Sequence, residues 1–443
     1  MNFAESRILR MKDDLDNQDT LRHNSSMSTT DTAFTPQAAA DRALRLTGRL
    51  IDAFGPRPSG STASRQTADA LHEEAADFAD RVRSEDFTVH PGAFLGWIRL
   101  LVLIYIAGLA LLWLEVYWIA ALLATAGLAI LIGQFFFYRE VLDPFFPRKT
   151  GRNVLAVVEP QGEALGQLII SGHHDSARIF NFLAHQPALY ALRVTGGLAI
   201  YGLFLLTSWL LTVWTAVSGA APSWSTVGAG LFSLLLLWVG QLWWFASARS
   251  TPGAGDNLAS SSAAWEALRH LAEQKTAGQG LSHLRVIAAS WDAEEAGLRG
   301  GRAWVKASRG AHADDRLALD TWNLNLECLY DVDELFFLTS DVNGTVKLSA
   351  ELAEQCRRLL AGRGRDVPVK PIAFLTGGTD AGELARGGAQ ATTLIGMPWG
   401  NTQRSSVYHT PGDVLAAVSA EAVGEAIFLA IALAEELDDR LKA

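Results

Sequence analysis

Cysteine is scarce in this chain of 443 residues: Cys328 and Cys356 are the whole supply. Two thiols cannot build a disulfide framework, and they fit a reducing compartment. Charge is also short, since Asp, Glu, Lys and Arg make up 19% of the residues, against roughly 25% in ordinary soluble domains. A positive excess is missing too. The formal net charge is −10, which leaves no basic surface of the kind a nucleic-acid binder needs. Residues 1–35 are polar and contain no apolar run, so no signal peptide is expected there and the segment reads as a polar, disordered tail. What the chain has in surplus is apolar surface: 49% of it is hydrophobic and the mean hydropathy is +0.15. That excludes disorder throughout and a coiled-coil rod, and it fits poorly with a fully soluble enzyme.

The surplus is clustered. Residues 94–138 are interrupted only by Arg99 and Glu115 and read as a helical hairpin with spans over 100–114 and 116–138. Extending the first span back to Phe94 brings it to the ~20 residues that cross a bilayer and puts Arg99 near an interface, where it can snorkel. A second pair covers 194–217 and 227–246, joined by a turn containing Pro222. Nine of the 14 tryptophans lie between Trp97 and Trp244, many near expected span ends, as in an aromatic belt. Four buried core helices are the competing reading, but short uncharged connections favour insertion in the membrane. Those connections carry no Lys or Arg. Arg81, Arg83, Arg139, Arg148, Lys149, Arg152, Arg178, Arg193 and Arg249 flank the opposite side, so the positive-inside rule predicts a multi-pass protein whose polar parts face the cytoplasm.

The polar segments alternate between the two regular structures. Helices are expected over 36–54, 61–83, 257–274, 300–308, 345–361 and 420–441. Strands are expected over 86–89, 153–158, 167–171, 284–291, 322–329, 335–339 and 391–395. This alternation predicts an α/β domain with a mostly parallel mixed sheet flanked by helices, interrupted by the four apolar helices. Functional residues then belong at the carboxyl ends of the strands.

Five acidic or histidine-bearing motifs fall at such positions: Gly172-His-His-Asp-Ser176, Gly253-Ala-Gly-Asp-Asn257, Asp292-Ala-Glu-Glu-Ala-Gly-Leu298, Asn323-Leu-Asn-Leu-Glu-Cys328 and Tyr408-His-Thr-Pro-Gly-Asp413. Imidazole and carboxylate suit zinc, and one carboxylate can bridge a metal pair. A His-x-Asp pair lets the aspartate orient the imidazole. Adjacent glutamates can divide the work of ligand and general base. Singly, each motif is bland: a surface coincidence, an N-cap, a solvated helix start or a turn. Their order and spacing together are specific.

The set resembles metallopeptidase family 28, the co-catalytic zinc aminopeptidases and carboxypeptidases, with glutaminyl cyclases as relatives. Phe54-Gly-Pro-Arg-Pro-Ser-Gly-Ser61 is similar to that family's N-terminal signature, and Asn153-Val-Leu-Ala-Val-Val158 to its first core strand. The resemblance covers about residues 36–93, 150–180 and 250–443. It implies a zinc exopeptidase fold split into 36–93, 139–193 and 247–443 by hairpins at 94–138 and 194–246. It implies two zinc ions, with His173, Asp256, Glu295, Glu327 and His409 as ligands and Asp256 as the bridge. Glu294 is the implied general base, Asp175 the carboxylate that orients His173, and Asp380 a supporting residue. The chain departs from the family in three places. Glu327 stands where Asp is usual, Asp256-Asn-Leu-Ala-Ser-Ser-Ser262 lacks the usual Ser-Gly pair, and His174 replaces a common aromatic. The second hairpin also separates two ligands of one centre, His173 and Asp256.

The expected activity is therefore that of a membrane-anchored aminopeptidase acting on peptides. A glutaminyl-cyclase-like enzyme, a catalytically inactive scaffold of the same fold and a transporter are the alternatives, in that order. Side-chain preference, substrate-binding residues and oligomeric state are not legible.

Overall fold

The computed structural model describes residues 34–308, 317–400 and 403–442. Residues 1–33 of the expected tail lie outside them. Pro36–Phe54 forms α1 and Thr62–Ala76 forms α2, the latter capped by Ser61, whose hydroxyl accepts from the Ser64 amide. The helix expected to run to residue 83 stops at Ala76, because Arg81–Val89 is already a strand, β1. It pairs antiparallel with Lys149–Val158, β2, with Arg81 opposite Val157 and Val89 opposite Lys149. Long-range pairing overrides the local helical pattern here.

The remaining strands of the main sheet are β3 (Gly166–His173), β6 (Leu284–Trp291), β7 (Asp320–Glu327), β8 (Leu335–Leu338), β11 (Val369–Lys370) and β12 (Gln390–Gly396). The order across the sheet is β1-β2-β6-β3-β7-β12-β8-β11. Its centre, β6-β3-β7-β12, is parallel throughout. Antiparallel pairs flank it: β1 with β2, β2 with β6, and β12 with β8. The fold is thus the expected mixed α/β sheet. Leu168, Ile169 and Ile170 of β3 are fully buried, as a central strand covered on both faces requires. The helices α1, α8 (Ala259–Thr276) and α12 (Ala420–Lys442) pack together over one face. The helices α9 (Arg299–Ala307) and α11 (Asp380–Gly387) cover the other. Two further expectations shift. The helix expected from 345 starts at Ala350 as α10 (Ala350–Ala361), where Ser349 caps it, and Val346–Lys347 instead forms a short strand, β10, against Ser340–Asp341, β9. The helix α11 and the strand β11 carry no pattern that predicts them.

Four helices are long and apolar enough to cross a membrane: Ala93–Trp113, Tyr117–Phe136, Pro187–Ser218 and Ser225–Trp244. Their main parts are α3 (Ala93–Trp113), α4 (Tyr117–Leu131), α6 (Tyr190–Ser218, after the short α5, Asn181–His185) and α7 (Ser225–Gly240). Each of α3 and α6 packs against both α4 and α7. Tyr105, Phe204 and Phe232 fill the middle of this bundle, with ring centroids 4.7 Å and 5.3 Å apart along the chain of contacts. The outward faces are apolar and exposed, with Leu206, Leu234 and Leu237 at 67%, 69% and 82%. Exposed apolar faces of this kind are uncommon on water-soluble monomers and mark surfaces that meet a membrane or a partner.

A small second sheet solves the problem posed by the second hairpin. Arg178–Phe180, β4, pairs antiparallel with Ala246–Ser250, β5. The chain therefore leaves the sheet just after His173, passes through α6 and α7, and is clamped back beside its point of departure before it reaches Asp256. The Thr251 amide donates to the Ala177 carbonyl at 2.8 Å and continues the clamp. Neither strand alternates in hydrophobicity, so neither is visible in the sequence.

Candidate active site

The parallel strands β3, β6 and β7 deliver their carboxyl ends to one edge of the sheet, and each end carries an acidic or imidazole group. His173 is the last residue of β3 and Glu327 the last of β7. Glu294 and Glu295 follow β6 in a tight turn, where Ala293 has φ 62°. Cys328 (φ 51°) and His409 (φ 54°) are also left-handed. A non-glycine residue in this region is disfavoured and is kept where the surrounding structure demands it.

Asp256 comes from the Ala254–Leu258 turn before α8. Helix is expected from Asn257, yet Asp256 and Asn257 have non-helical angles (φ −115°, ψ 82° and φ −146°, ψ 27°) and α8 starts at Ala259. Asn257 is therefore not the first residue of the helix, as expected, and its side chain is free for other partners. Its side-chain amide donates to the Leu326 carbonyl at 2.9 Å and to Glu327 Oε2 at 3.2 Å, and its Oδ1 accepts from the Cys328 amide. It fixes the carboxylate of Glu327 beside His173. Gly255 is required because a Cβ there would lie 2.1 Å from the Tyr330 ring.

The five expected ligands converge. His173 Nε2 lies 3.4 Å from Asp256 Oδ1 and 3.6 Å from Glu327 Oε1. His409 Nε2 lies 3.1 Å from Asp256 Oδ2 and 3.4 Å from Glu295 Oε1. The two oxygens of Asp256 thus face two different imidazoles. Glu294 Oε2 is 3.8 Å from His173 Nε2 and belongs to the same cluster. Asp175 sits behind it. The Nδ1 of His173 meets the Asp175 carbonyl at 3.1 Å and its Oδ1 at 3.3 Å. The Asp175 carboxylate also accepts from the Ser59 hydroxyl and from the amides of Glu294 and Glu295. Asp380 is buried close by with neither carboxylate oxygen hydrogen-bonded. His174 points away and its Nδ1 bonds with Ser290 Oγ.

This donor set fits metal. With Nδ1 of His173 donating to Asp175, its Nε2 presents a lone pair to carboxylate oxygens. That nitrogen and Asp256 Oδ2 are buried without a hydrogen-bond partner. Lone pairs facing each other repel unless a proton or a metal cation lies between them. Ligands of one tetrahedral zinc, each at 2.0–2.2 Å, stand roughly 3.3 Å apart, which is the spacing around Asp256. Without the cation the cluster is tense. Burial pushes Glu294 well above the usual carboxylate range, with Glu295 and Glu327 adding to the effect against His173. Burial likewise raises Glu295 to about 7. Burial alone would lower His409, but Glu295 and Asp256 lift it to about 9. A divalent cation reverses this logic and keeps ligands deprotonated.

Residues 239–434 match the model of peptidase family M28. The resemblance read from the motifs stands on that match. The M28 span holds Asp256, Glu294, Glu295, Glu327 and His409, whereas His173 and Asp175 lie before it, across the inserted helices. Among solved structures, the fold is similar to a Zn-dependent exopeptidase from Parabacteroides distasonis (13% identity, TM-score 0.52, covering 89% of this chain and 97% of that one). It is similar to a zinc aminopeptidase from Bacillus subtilis (14%, TM-score 0.51, 91% and 96%). It is also similar to a glutaminyl cyclase from Porphyromonas gingivalis (13%, TM-score 0.51, 90% and 98%). No curated protein matches the chain.

Several contributors have no role assigned by the sequence reading. Arg57 is fully buried and donates to the carbonyls of Gly55, His174, Pro252 and Gly253, tying the 54–61 segment to the loops that carry His173 and Asp256. Its signal in the sequence was its place between two prolines in the 54–61 motif, which named no role for it. Ser59 and Asn257 lie within the sequence motifs too, but they act through contacts more than 60 residues distant in sequence. Arg404 lines the cavity in front of the cluster and is its only lysine or arginine among the described residues.

Proposed function

We propose that the chain is a membrane-anchored metallo-exopeptidase, an aminopeptidase that removes single N-terminal residues. The observation that carries the reading is Asp256, with one oxygen toward His173 and Glu327 and the other toward His409 and Glu295. These residues would hold two zinc ions, which supply Lewis-acid polarisation of the scissile carbonyl and stabilise the charge that develops on it. Glu294 is the general base. Its carboxylate accepts a proton from the attacking water as the new C–O bond forms, and returns that proton to the departing amine as the C–N bond breaks. The amide hydrogen bonds from Glu294 and Glu295 to Asp175 hold this turn in place. The carboxylates facing the cavity favour a substrate with a free, positively charged α-amine.

Membrane anchoring rests on the four apolar helices, each at or above the ~20 residues a bilayer requires, and on their exposed apolar faces. The Lys and Arg bias puts the catalytic part in the cytoplasm.

A mixed peptide library incubated with purified protein and zinc, beside the Glu294→Gln variant, tests the reading, with products read by mass spectrometry. Loss of one N-terminal residue by the wild type alone is expected, with the variant at least 100-fold slower. Cyclisation of N-terminal glutamine without cleavage would move the assignment to a cyclase. No conversion by folded, zinc-loaded wild type would move it to an inactive scaffold.

A further inference from the structure

The cavity that holds Asp256, Glu294, Glu295, Glu327 and His409 has a volume of about 230 Å³ and does not end at the sheet. It extends into the base of the helical bundle. There Trp97, Ile98 and Leu101 of α3 face Val194, Thr195 and Leu198 of α6. The spacing in each helix places the three on one side of it. Because α3 and α6 each pack against α4 and α7, they stand across the bundle from one another, and the cavity follows its axis. Aromatic contacts lead there along two sides of the cavity, one of them from a candidate ligand. One runs from His409 to Phe180 at 4.2 Å, then to Phe245 at 4.5 Å and to Tyr190 of α6 at 6.2 Å. The other runs from Tyr138 to Phe94 of α3 at 4.8 Å. The bundle contributes no charged side chain to the lining. One turn beyond Leu101, Tyr105 and Phe204 close the axis. The open stretch is therefore about two helical turns, ~10 Å deep.

We infer that the bundle forms the pocket for the substrate's N-terminal side chain, and that the enzyme selects peptides beginning with a large apolar residue. The inference rests on the aminopeptidase reading. The whole cavity, polar end included, is about 230 Å³, and an apolar cavity of about 150 Å³ accepts a benzene ring, so its apolar end takes no more than one side chain and excludes a folded segment. The free amine and scissile carbonyl stay with the carboxylates and imidazoles, while the side chain leaves water for the bundle axis. Each methylene buried adds roughly fourfold to kcat/KM. The inserted helices thus carry specificity as well as anchorage.

The test uses the full chain in lipid nanodiscs with zinc and the 4-nitroanilides of alanine, leucine and 2-aminooctanoic acid. For the wild type, kcat/KM is expected to rise at least 100-fold from alanyl to 2-aminooctanoyl. Val194→Phe, which fills the axis, should cut the ratio of 2-aminooctanoyl to alanyl kcat/KM at least tenfold. Leu198→Ala, which deepens the axis, should raise it, so the inference does not hang on one variant folding. Equal rates across the series, or variants that move all substrates together, would overturn it. If the wild type cleaves none of the three, the aminopeptidase reading fails, and the pocket is judged by calorimetric binding of 2-aminooctanoate. Binding weakened at least tenfold by Val194→Phe would sustain the pocket, and no binding would overturn it.

Discussion

The Asp175 carboxylate accepts from the Ser59 hydroxyl and from the amides of Glu294 and Glu295, and it lies against His173 Nδ1. It thereby joins β3, the turn after β6 and the 54–61 segment. Asp175→Asn presents an N–H to at least one of these donors and loses the charge that holds the imidazole. Zinc affinity is expected to fall 10–100-fold, read by competition with a fluorescent chelator in protein of unchanged circular dichroism. Unchanged affinity would contradict the orienting role. The five candidate ligands that converge around Asp256 were open to the sequence reading, because strand ends place chemistry in short contiguous motifs. Asn257 and Arg57 were not. Asn257 read as the start of a helix, and its real partners, Leu326 and Glu327, adjoin it only once β7 lies beside β3. The extra methylene of Glu327 is accommodated, since its carboxylate still reaches His173.

At the scale of elements, the four apolar helices and most sheet strands were readable from hydrophobic period and run length. The strands β4 and β5 escaped. Arg178 and Arg249 within them carry no alternation, and their pairing reflects the need to return the chain beside His173 after the second hairpin. Residues 77–83 were misread as helix for the same reason, since β1 draws its stability from Leu155, Ala156 and Val157 on β2. The hairpins make a testable statement. The protein should stay with membranes after alkaline carbonate extraction, and a periplasm-active reporter fused in the 218–225 turn should be active. A cytoplasmic signal there would reverse the orientation, and release by carbonate would remove the anchor.

For the whole molecule, the sheet edge, the clamp of β4 on β5 and the base of the bundle enclose one cavity. The metal ligands form its polar end and α3 and α6 its apolar end. No segment of sequence announces this, because it depends on two insertions, more than 40 residues apart in the chain, closing over the same strand ends. The account rests on a zinc pair bridged by Asp256. Its most direct measurement is metal content by elemental mass spectrometry of purified, dialysed protein, wild type beside His409→Ala. Two zinc ions per chain are expected in the wild type and about one in the variant. A single zinc in the wild type, unaffected by His409→Ala, would contradict it.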